Sequence, residues 1–207
     1  MPRRIVVLRH GESVHNAARL WQGQADSDLS ETGVAQARAS ARALALVGVT
    51  RVVASDLRRA AETGRAVADA AGVTLELDAA FREISVGLWE GRAHDEVQRE
   101  DAGLWARLQA YEDVRWGHTG ERPSDVLARV GVAGAQLAEE LDDGQCAVVA
   151  THGLAGPQLA ASLLGEDPIA LIRERGGLGN ARWITLEDAG DGWRLVEWNA
   201  GPDPEEA

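Results

Sequence analysis

Three short apolar runs that lead directly into polar residues constrain the fold of this chain more than any other feature. They are rich in β-branched residues and predict buried strands over residues 5–8, 52–54 and 147–150. Helical patterns separate these runs along the chain. Alternation of buried strands and helices predicts an α/β fold, a three-layer α/β/α sandwich around a mostly parallel sheet.

Local signals predict the remaining elements. Ser30 is the expected N-cap of a helix that stops at Gly48, and Gly72 closes a second helix over residues 56–71. We further predict helices over residues 124–141 and 157–164, a strand near 74–77, and a closing hairpin from residues 181–186 and 193–198. Residues 202–207 form an acidic end that we expect to fray.

The length of 207 residues suits one large domain, so we expect a single domain over residues 1–207. Residues 87–122 lack a strong strand pattern, and we predict a small cap, inserted at about residues 88–122, that covers the edge of the sheet. It contains Trp89, Trp105 and Trp116. The sequence leaves both a monomer and a homodimer open.

Charge and cysteine content restrict the partners and the compartment. The chain has 33 acidic residues against 21 basic ones, all of them arginine, and a net charge of −12. We therefore expect no nucleic-acid partner and no membrane partner, because both favour a positive field. A single cysteine, apolar runs too short to span a bilayer, and a basic start that soon meets Arg9 and His10 predict a cytoplasmic protein without a signal peptide.

The residues that follow the three predicted strands point to an anion site. The strands lead into three polar segments: Arg9-His10-Gly11-Glu12, Ser55-Asp56-Leu57-Arg58-Arg59 and Thr151-His152-Gly153. In open parallel sheets, ligands bind beyond the carboxyl ends of the strands, where these segments would meet. Two imidazoles and at least two guanidinium groups predict a pocket for an anion, most simply a phosphate.

Five motifs carry a resemblance to a known family. In chain order they are Arg9-His10-Gly11-Glu12-Ser13 with Asn16, Leu29-Ser30-Glu31-Thr32-Gly33 after Gly23, Ser55-Asp56-Leu57-Arg58-Arg59-Ala60, Arg82-Glu83 with Gly87-Leu88-Trp89-Glu90-Gly91, and Thr151-His152-Gly153. Together they resemble the signature of the histidine phosphatase superfamily, the phosphoglycerate-mutase-like proteins. The resemblance covers most of the chain and is weakest between residues 92 and 123.

The resemblance implies a role for each matching position. His10 would be the nucleophile that becomes phosphorylated, and Glu83 the proton donor to the leaving oxygen. Four residues would bind the phosphoryl oxygens: Arg9, Asn16, Arg59 and His152. Candidate substrate contacts are Gly11, Gln22, Gly23 and Gly153. Arginine forks and an imidazolium can stabilise the transferred group, so neither a metal nor a cofactor is expected.

The sequence also leads to expectations about the protonation of two histidines and the placement of other side chains. His10 should be neutral at its attacking nitrogen, with the other nitrogen donating to a fixed acceptor such as a backbone carbonyl. His152 should be cationic when phosphate is bound. His94 and His118 are predicted to lie on the surface. Trp21 and Trp116, like Trp89, suit either a cleft wall or core packing.

The predicted function is a metal-independent phosphomonoester hydrolase that acts on a small phosphorylated metabolite through a phosphohistidine. Residues 176–183 and Trp198-Asn199 resemble actinobacterial members of the family, which implies a phosphoglycerate derivative such as glucosyl-3-phosphoglycerate. One alternative is a cofactor-dependent phosphoglycerate mutase, although the cap has no lysine and only isolated arginines. Others are a non-catalytic phospho-ligand binding module and a metal hydrolase built on His10, His152 and Glu83, in which Arg9 would repel the cation.

Overall fold

The computed structural model describes residues 1–202 and is built around a six-stranded sheet in the order β3–β2–β4–β1–β5–β6. The strands are β1 (Arg3–Arg9), β2 (Arg51–Ala54), β3 (Leu75–Leu77), β4 (Cys146–Thr151), β5 (Trp183–Asp188) and β6 (Trp193–Ala200). Strands β1 to β4 are parallel, whereas β5 pairs antiparallel with β1 and β6 pairs antiparallel with β5. The mostly parallel sheet and the closing hairpin are therefore confirmed.

Eight helices connect the described strands. They are α1 (Val14–Ala17), α2 (Glu31–Ala45), α3 (Arg58–Ala71), α4 (His94–Glu100), α5 (Ala102–Gln109), α6 (Pro123–Glu139), α7 (Ala155–Leu164) and α8 (Pro168–Arg175). The Ser30 side chain caps α2 by accepting from the Gly33 N–H at 3.0 Å, and Gly72 ends α3 in the left-handed region, as predicted. Helix α3 begins two residues later than expected, because Leu57 has extended backbone.

Alternation along β1 separates two hydrophobic layers. Ile5 and Val7 pack with apolar side chains of α6 and α7, whereas Val6 and Leu8 pack with those of α2 and α3. Successive strand residues point to opposite faces of a sheet, so one strand supports both layers. The predicted three-layer α/β/α sandwich is confirmed.

Strand register brings the three polar segments to one edge. Leu8 and Ala54 both pair with Ala150 of β4, which lies between β1 and β2. Just beyond, the His10 N–H donates to the Thr151 carbonyl and the Ser55 N–H donates to the Ala150 carbonyl, both at 2.9 Å. The residues after β1, β2 and β4 therefore start from neighbouring positions.

The segment between β3 and α6 lies outside the sheet and carries two 3₁₀ turns, α4 and α5. Its loops pack closely: a Cβ on Gly117 would lie 1.8 Å from the Val86 carbonyl oxygen. Trp89 is buried in the core. In the described part of the chain, none of the helices has the length and apolarity needed to cross a membrane. Apart from Pro202, the predicted acidic end lies outside the described residues.

Candidate active site

A pocket of about 340 Å³ opens at the carboxyl edge of β1, β2 and β4. It is lined by eight of the predicted site residues: Arg9, His10, Asn16, Gln22, Gly23, Arg59, Glu83 and Gly153. His152 lies directly behind this wall, with its ring centroid 5.1 Å from that of His10. The pocket therefore brings together predicted site residues that are up to 144 positions apart in the sequence, as Arg9 and Gly153 are.

His10 is buried and held in one orientation. Its Nδ1 lies 2.6 Å from the Gly11 carbonyl oxygen, a bond that assigns the proton to Nδ1 and leaves a lone pair on Nε2. Burial, followed by the charges of Arg59 and Arg9, holds the pKa of His10 well below its ordinary value. The imidazole is thus neutral and has a free nucleophilic nitrogen.

His152 is fully buried and is oriented by a serine. Its Nε2 lies 2.8 Å from the Ser55 hydroxyl, which also accepts from the Leu57 N–H. The hydroxyl can therefore donate to Nε2, so that Nδ1 carries the proton and has no partner among the described residues. Burial, with the charges of Arg59 and its neighbours, lowers the pKa of His152. An anion placed at Nδ1 would favour the cationic form that the sequence led us to expect.

Two guanidinium groups face the same pocket. Arg59 is buried, with Nη1 donating to the Ala25 carbonyl at 3.0 Å and Nη2 to the Gly23 carbonyl at 2.8 Å. Arg9 donates through Nη1 to the Leu178 carbonyl at 2.6 Å. The Nε atoms of both arginines are buried without a partner in the described chain, and such donors suit anionic oxygens.

The neighbouring Arg58 does not reach the pocket. Its side chain is more than half exposed and pairs with Asp26 at 2.9 Å and with Asp28 at 2.8 Å. Arg58 and Arg59 occupy the first two positions of α3, about 100° apart around the helix axis. Only one of two adjacent arginines can therefore face the pocket, and here it is Arg59.

The predicted glycine contacts have distinct roles. Gly23 has a positive φ of 55°, lines the pocket and supplies the carbonyl that holds Arg59. Gly153 lets the Arg9 guanidinium approach, since a Cβ there would lie 3.2 Å from Cζ. Gly11 packs backbone to backbone against Gly33, where a Cβ would lie 2.3 Å from the carbonyl oxygen. Gly11 thus serves loop packing and the orientation of His10.

Glu83 lies at the amino terminus of α7. Its Oε1 accepts from the Ile84 N–H at 3.0 Å and the Ala155 N–H at 3.1 Å, while Oε2 accepts from the Leu154 N–H at 3.1 Å. These bonds aim the carboxyl group at the pocket that it lines. A carboxyl group that lines the same pocket as the two arginines can give or take a proton there, so this position is compatible with general acid–base chemistry.

The loop after β1 holds the amide side chains. The Ser13 hydroxyl donates to Gln22 Oε1 at 2.7 Å, and the Ser13 N–H donates to Asn16 Oδ1 at 3.2 Å. Asn180 donates to the same Asn16 oxygen and to the His10 carbonyl at 3.1 Å. Sequence reasoning missed Asn180, although it lies in the segment 176–183 that resembles family members.

An aromatic wall closes the pocket on the side of the cap. Trp21 stacks on His94 at 4.6 Å and meets Trp116 edge-on at 5.5 Å, and all three line the pocket. The prediction that His94 is a surface residue is wrong, because α4 turns it onto Trp21. His118 is exposed as predicted and lies 2.7 Å from Asp101.

Sequence reasoning also missed Arg129 of α6. Its guanidinium donates to the carbonyl oxygens of Arg82 at 2.6 Å and Glu83 at 2.9 Å, and its Nε donates to Glu121 at 2.9 Å. A charged residue at one position of a long helix predicts an exposed face, so no local signal could have identified it. Within residues 1–202, no group of three acidic, histidine or cysteine side chains is arranged to hold a metal ion.

Comparisons with known proteins identify the class. The sequence model of the histidine phosphatase superfamily (branch 1) matches residues 5–201. The chain therefore belongs to this superfamily, whose members act through a phosphohistidine intermediate, and it is a phosphoric monoester hydrolase. The resemblance to this superfamily, which the five motifs indicated, is confirmed. The predicted enzyme class is confirmed as well.

Individual members of the superfamily also match nearly the whole chain. The chain is 38% identical to the glucosyl-3-phosphoglycerate phosphatase of Mycolicibacterium vanbaalenii, over 96% of this chain and 95% of that protein. The solved structure of a mycobacterial glucosyl-3-phosphoglycerate phosphatase with VO3 matches it with a TM-score of 0.87 and 36% identity, covering 96% of this chain and all of that one. A protein of Enterobacter sp. (strain 638) named "Probable phosphoglycerate mutase" is 37% identical over 94% of this chain and 89% of its own length.

Proposed function

We propose that this protein hydrolyses a phosphomonoester of a small metabolite, with His10 as the nucleophile and Glu83 as the proton donor. One observation carries the proposal: the bond from Nδ1 of His10 to the Gly11 carbonyl leaves Nε2 free in a pocket lined by two arginines. A neutral imidazole with a fixed orientation suits in-line attack on phosphorus.

The first chemical step transfers the phosphoryl group to the enzyme. The lone pair on Nε2 of His10 forms a bond to phosphorus while the bond from phosphorus to the leaving oxygen breaks. Glu83 gives its proton to that oxygen, so that the product leaves as an alcohol. Arg9 and Arg59, with Asn16 and His152, bind the phosphoryl oxygens on which negative charge is spread.

The second step returns the enzyme to its starting state. Glu83, now a carboxylate, takes a proton from water as the water oxygen bonds to phosphorus. The bond from phosphorus to Nε2 breaks, inorganic phosphate leaves, and His10 is again neutral. Each proton that Glu83 gives in the first step is regained in the second. The cationic side chains supply the charge that a metal ion supplies in other phosphatases, and we propose that no metal takes part.

We propose a phosphoglycerate derivative, specifically glucosyl-3-phosphoglycerate, as the substrate. Support comes from relatives that carry this activity in their names and match nearly the whole chain. A mutase must retain a bisphosphate intermediate and needs firm cationic contacts to its second phosphate. Beyond Arg9 and Arg59, no arginine lines the described pocket, and the chain has no lysine, which favours a hydrolase.

We also propose that the protein works in the cytoplasm on a soluble metabolite. Cys146 is a free, buried cysteine, and burial raises the pKa of its thiol to about 11, so that it stays protonated and inert. The net charge of −12 disfavours nucleic acids and anionic lipid surfaces as partners.

The test is a rapid-quench experiment with ³²P-labelled substrate. Wild-type enzyme should yield a phosphoenzyme that is stable in base and labile in acid, and His10→Ala should yield none and lose more than about 1,000-fold in kcat, as expected when a nucleophile is removed. His118→Ala is the matched control, since His118 is exposed on the cap. A His10→Ala enzyme that keeps near wild-type turnover would contradict the assignment.

A further inference from the structure

A second cavity, of about 460 Å³, continues from the phosphate pocket toward α5, α6 and α8. The two cavities share Trp21, Trp116, Gly153, Leu154 and Gly177. We propose that this groove, the α5–α8 groove, binds the sugar ring of a glycosylated phosphoglycerate as a neutral, polyhydroxylated group. The inference rests on the proposed phosphatase function and assigns the leaving-group side of the same site.

Four aromatic side chains line the walls of the groove. Trp105 and Tyr111 line it together with Trp21 and Trp116. The ring centroids of Trp21 and Trp105 are 6.2 Å apart, and the Trp21 and Trp116 rings are nearly perpendicular, at 86°. The negative face of an aromatic ring attracts the weakly positive C–H bonds of a saturated ring, so these faces suit a pyranose.

Unpartnered polar atoms show that the occupant is not a hydrocarbon. Gln158 lines the groove and is only 4% exposed, yet its side-chain oxygen has no hydrogen-bond partner in the described chain. The indole nitrogens of Trp21 and Trp116 are buried and equally unpartnered. Buried polar atoms cost free energy unless they are satisfied. A ligand with hydroxyl groups both donates and accepts, so it can satisfy the amide oxygen and the two indole N–H groups.

Charge excludes an anionic occupant. The lining includes the carboxylates of Glu112, Asp113 and Asp167, and none of the arginines of residues 1–202 belongs to it. Asp113 accepts from the Ser124 hydroxyl at 2.7 Å, and Asp167 caps α8 by accepting from the Ile169 N–H at 3.0 Å. A second phosphate or carboxylate would be repelled here, whereas a neutral ring would not.

The volume of the groove also suits a sugar ring. The groove of about 460 Å³ falls within the range of roughly 300–1,000 Å³ that is typical of small-molecule sites. Because the groove and the phosphate pocket share five lining residues, one substrate can place its phosphoryl group at His10 and its sugar ring in the groove that Trp105 and Gln158 line.

The experiment compares two substrates that differ only in the sugar. We expect wild-type enzyme to prefer glucosyl-3-phosphoglycerate to 3-phosphoglycerate in kcat/KM. Trp105→Leu and Gln158→Met should each reduce that preference about tenfold, because each removes one stacking contact or one buried hydrogen bond. The change should come mainly from a higher KM for the glycosylated substrate. Trp193→Leu on β6 and Gln136→Met at an exposed position of α6 are the matched controls and should keep the wild-type ratio.

The outcomes distinguish a failure of the sugar-binding proposal from a failure of the proposed phosphatase function. If both substrates are hydrolysed and the ratio is the same in all four variants, the sugar assignment is wrong. If folded wild-type enzyme hydrolyses neither substrate, the proposed function fails, and calorimetry with dephosphorylated glucosylglycerate then decides the groove by itself. Binding that weakens about tenfold in Trp105→Leu, but not in Trp193→Leu, would support the assignment, and a lack of binding would overturn it.

Discussion

At the level of single residues, the hydrogen bonds of two imidazoles assign their protons. His10 donates through Nδ1 to the Gly11 carbonyl, and His152 accepts at Nε2 from Ser55. The two rings therefore differ in the nitrogen that stays free: a lone pair on Nε2 of His10 and an N–H on Nδ1 of His152. This difference matches the proposed roles, in which His10 attacks phosphorus and His152 binds the phosphoryl oxygens.

The lowered pKa of both histidines predicts a pH-dependent stability. Because burial depresses the folded-state pKa below the unfolded value of 6.5, the unfolded chain takes up protons first as the pH falls. Stability is fully present above pH 6.5 and decreases below it, by up to about 1.4 kcal/mol per pH unit for each histidine. Urea unfolding between pH 7 and pH 5.5 should show this slope. The double variant His10→Gln/His152→Gln should flatten the slope, whereas Gln136→Met, which changes no titratable group, should leave it unchanged.

At the level of elements, the loop after β1 depends on contact between two backbones. Gly11 and Gly33 approach so closely that a Cβ on Gly11 would lie 2.3 Å from the Gly33 carbonyl oxygen at the start of α2. We expect Gly11→Ala to reduce the free energy of unfolding by about 1–3 kcal/mol, as overpacking does. Displacement of His10 should also lower kcat by about 100-fold. The control is Gly103→Ala in α5, where a Cβ meets open space. Equal stability and activity of the two variants would contradict this account.

Helix α6 holds Glu83, the proposed proton donor, through the side chain of Arg129. Arg129 binds the Glu83 carbonyl at 2.9 Å, and Glu121 accepts from the Arg129 Nε and from the Ser85 N–H. We predict that Arg129→Lys lowers kcat about tenfold with little change in KM, because a lysine lacks the planar fork that holds these groups together. Arg99→Lys, which alters an exposed pair with Asp95, should behave like wild type. A rise in KM without a fall in kcat would argue against a positioning role for Arg129.

At the level of the whole molecule, the charge around the site favours water over a second substrate as acceptor. The segment between β3 and α6 carries several acidic residues, among them Glu112 and Asp113, which line the α5–α8 groove. With 3-phosphoglycerate and a bisphosphate primer, we expect release of inorganic phosphate to exceed formation of 2-phosphoglycerate, because the product is held weakly. Both products can be followed in one reaction. Isomer formation that greatly outruns phosphate release would identify a mutase.

The sequence by itself determined the strands, the layers and the residues that follow each strand. Hydrophobic alternation and helix caps are local properties, and Ser30 and Gly72 end their helices by contacts within a few residues. The segments after β1, β2 and β4 could be placed at one edge because parallel strands end together. The position of His10 in the pocket follows from that rule alone.

Only the tertiary structure decided which side chains reach that edge from elsewhere. Arg129 lies 46 residues from Glu83, and the aromatic contact of Trp21 with His94 spans 73 residues. Such contacts depend on how helices pack and on which face each presents, and a pattern of nearby residues does not encode either. The α5–α8 groove also depends on the tertiary structure, because its walls come from five separate segments that meet only after the chain has folded.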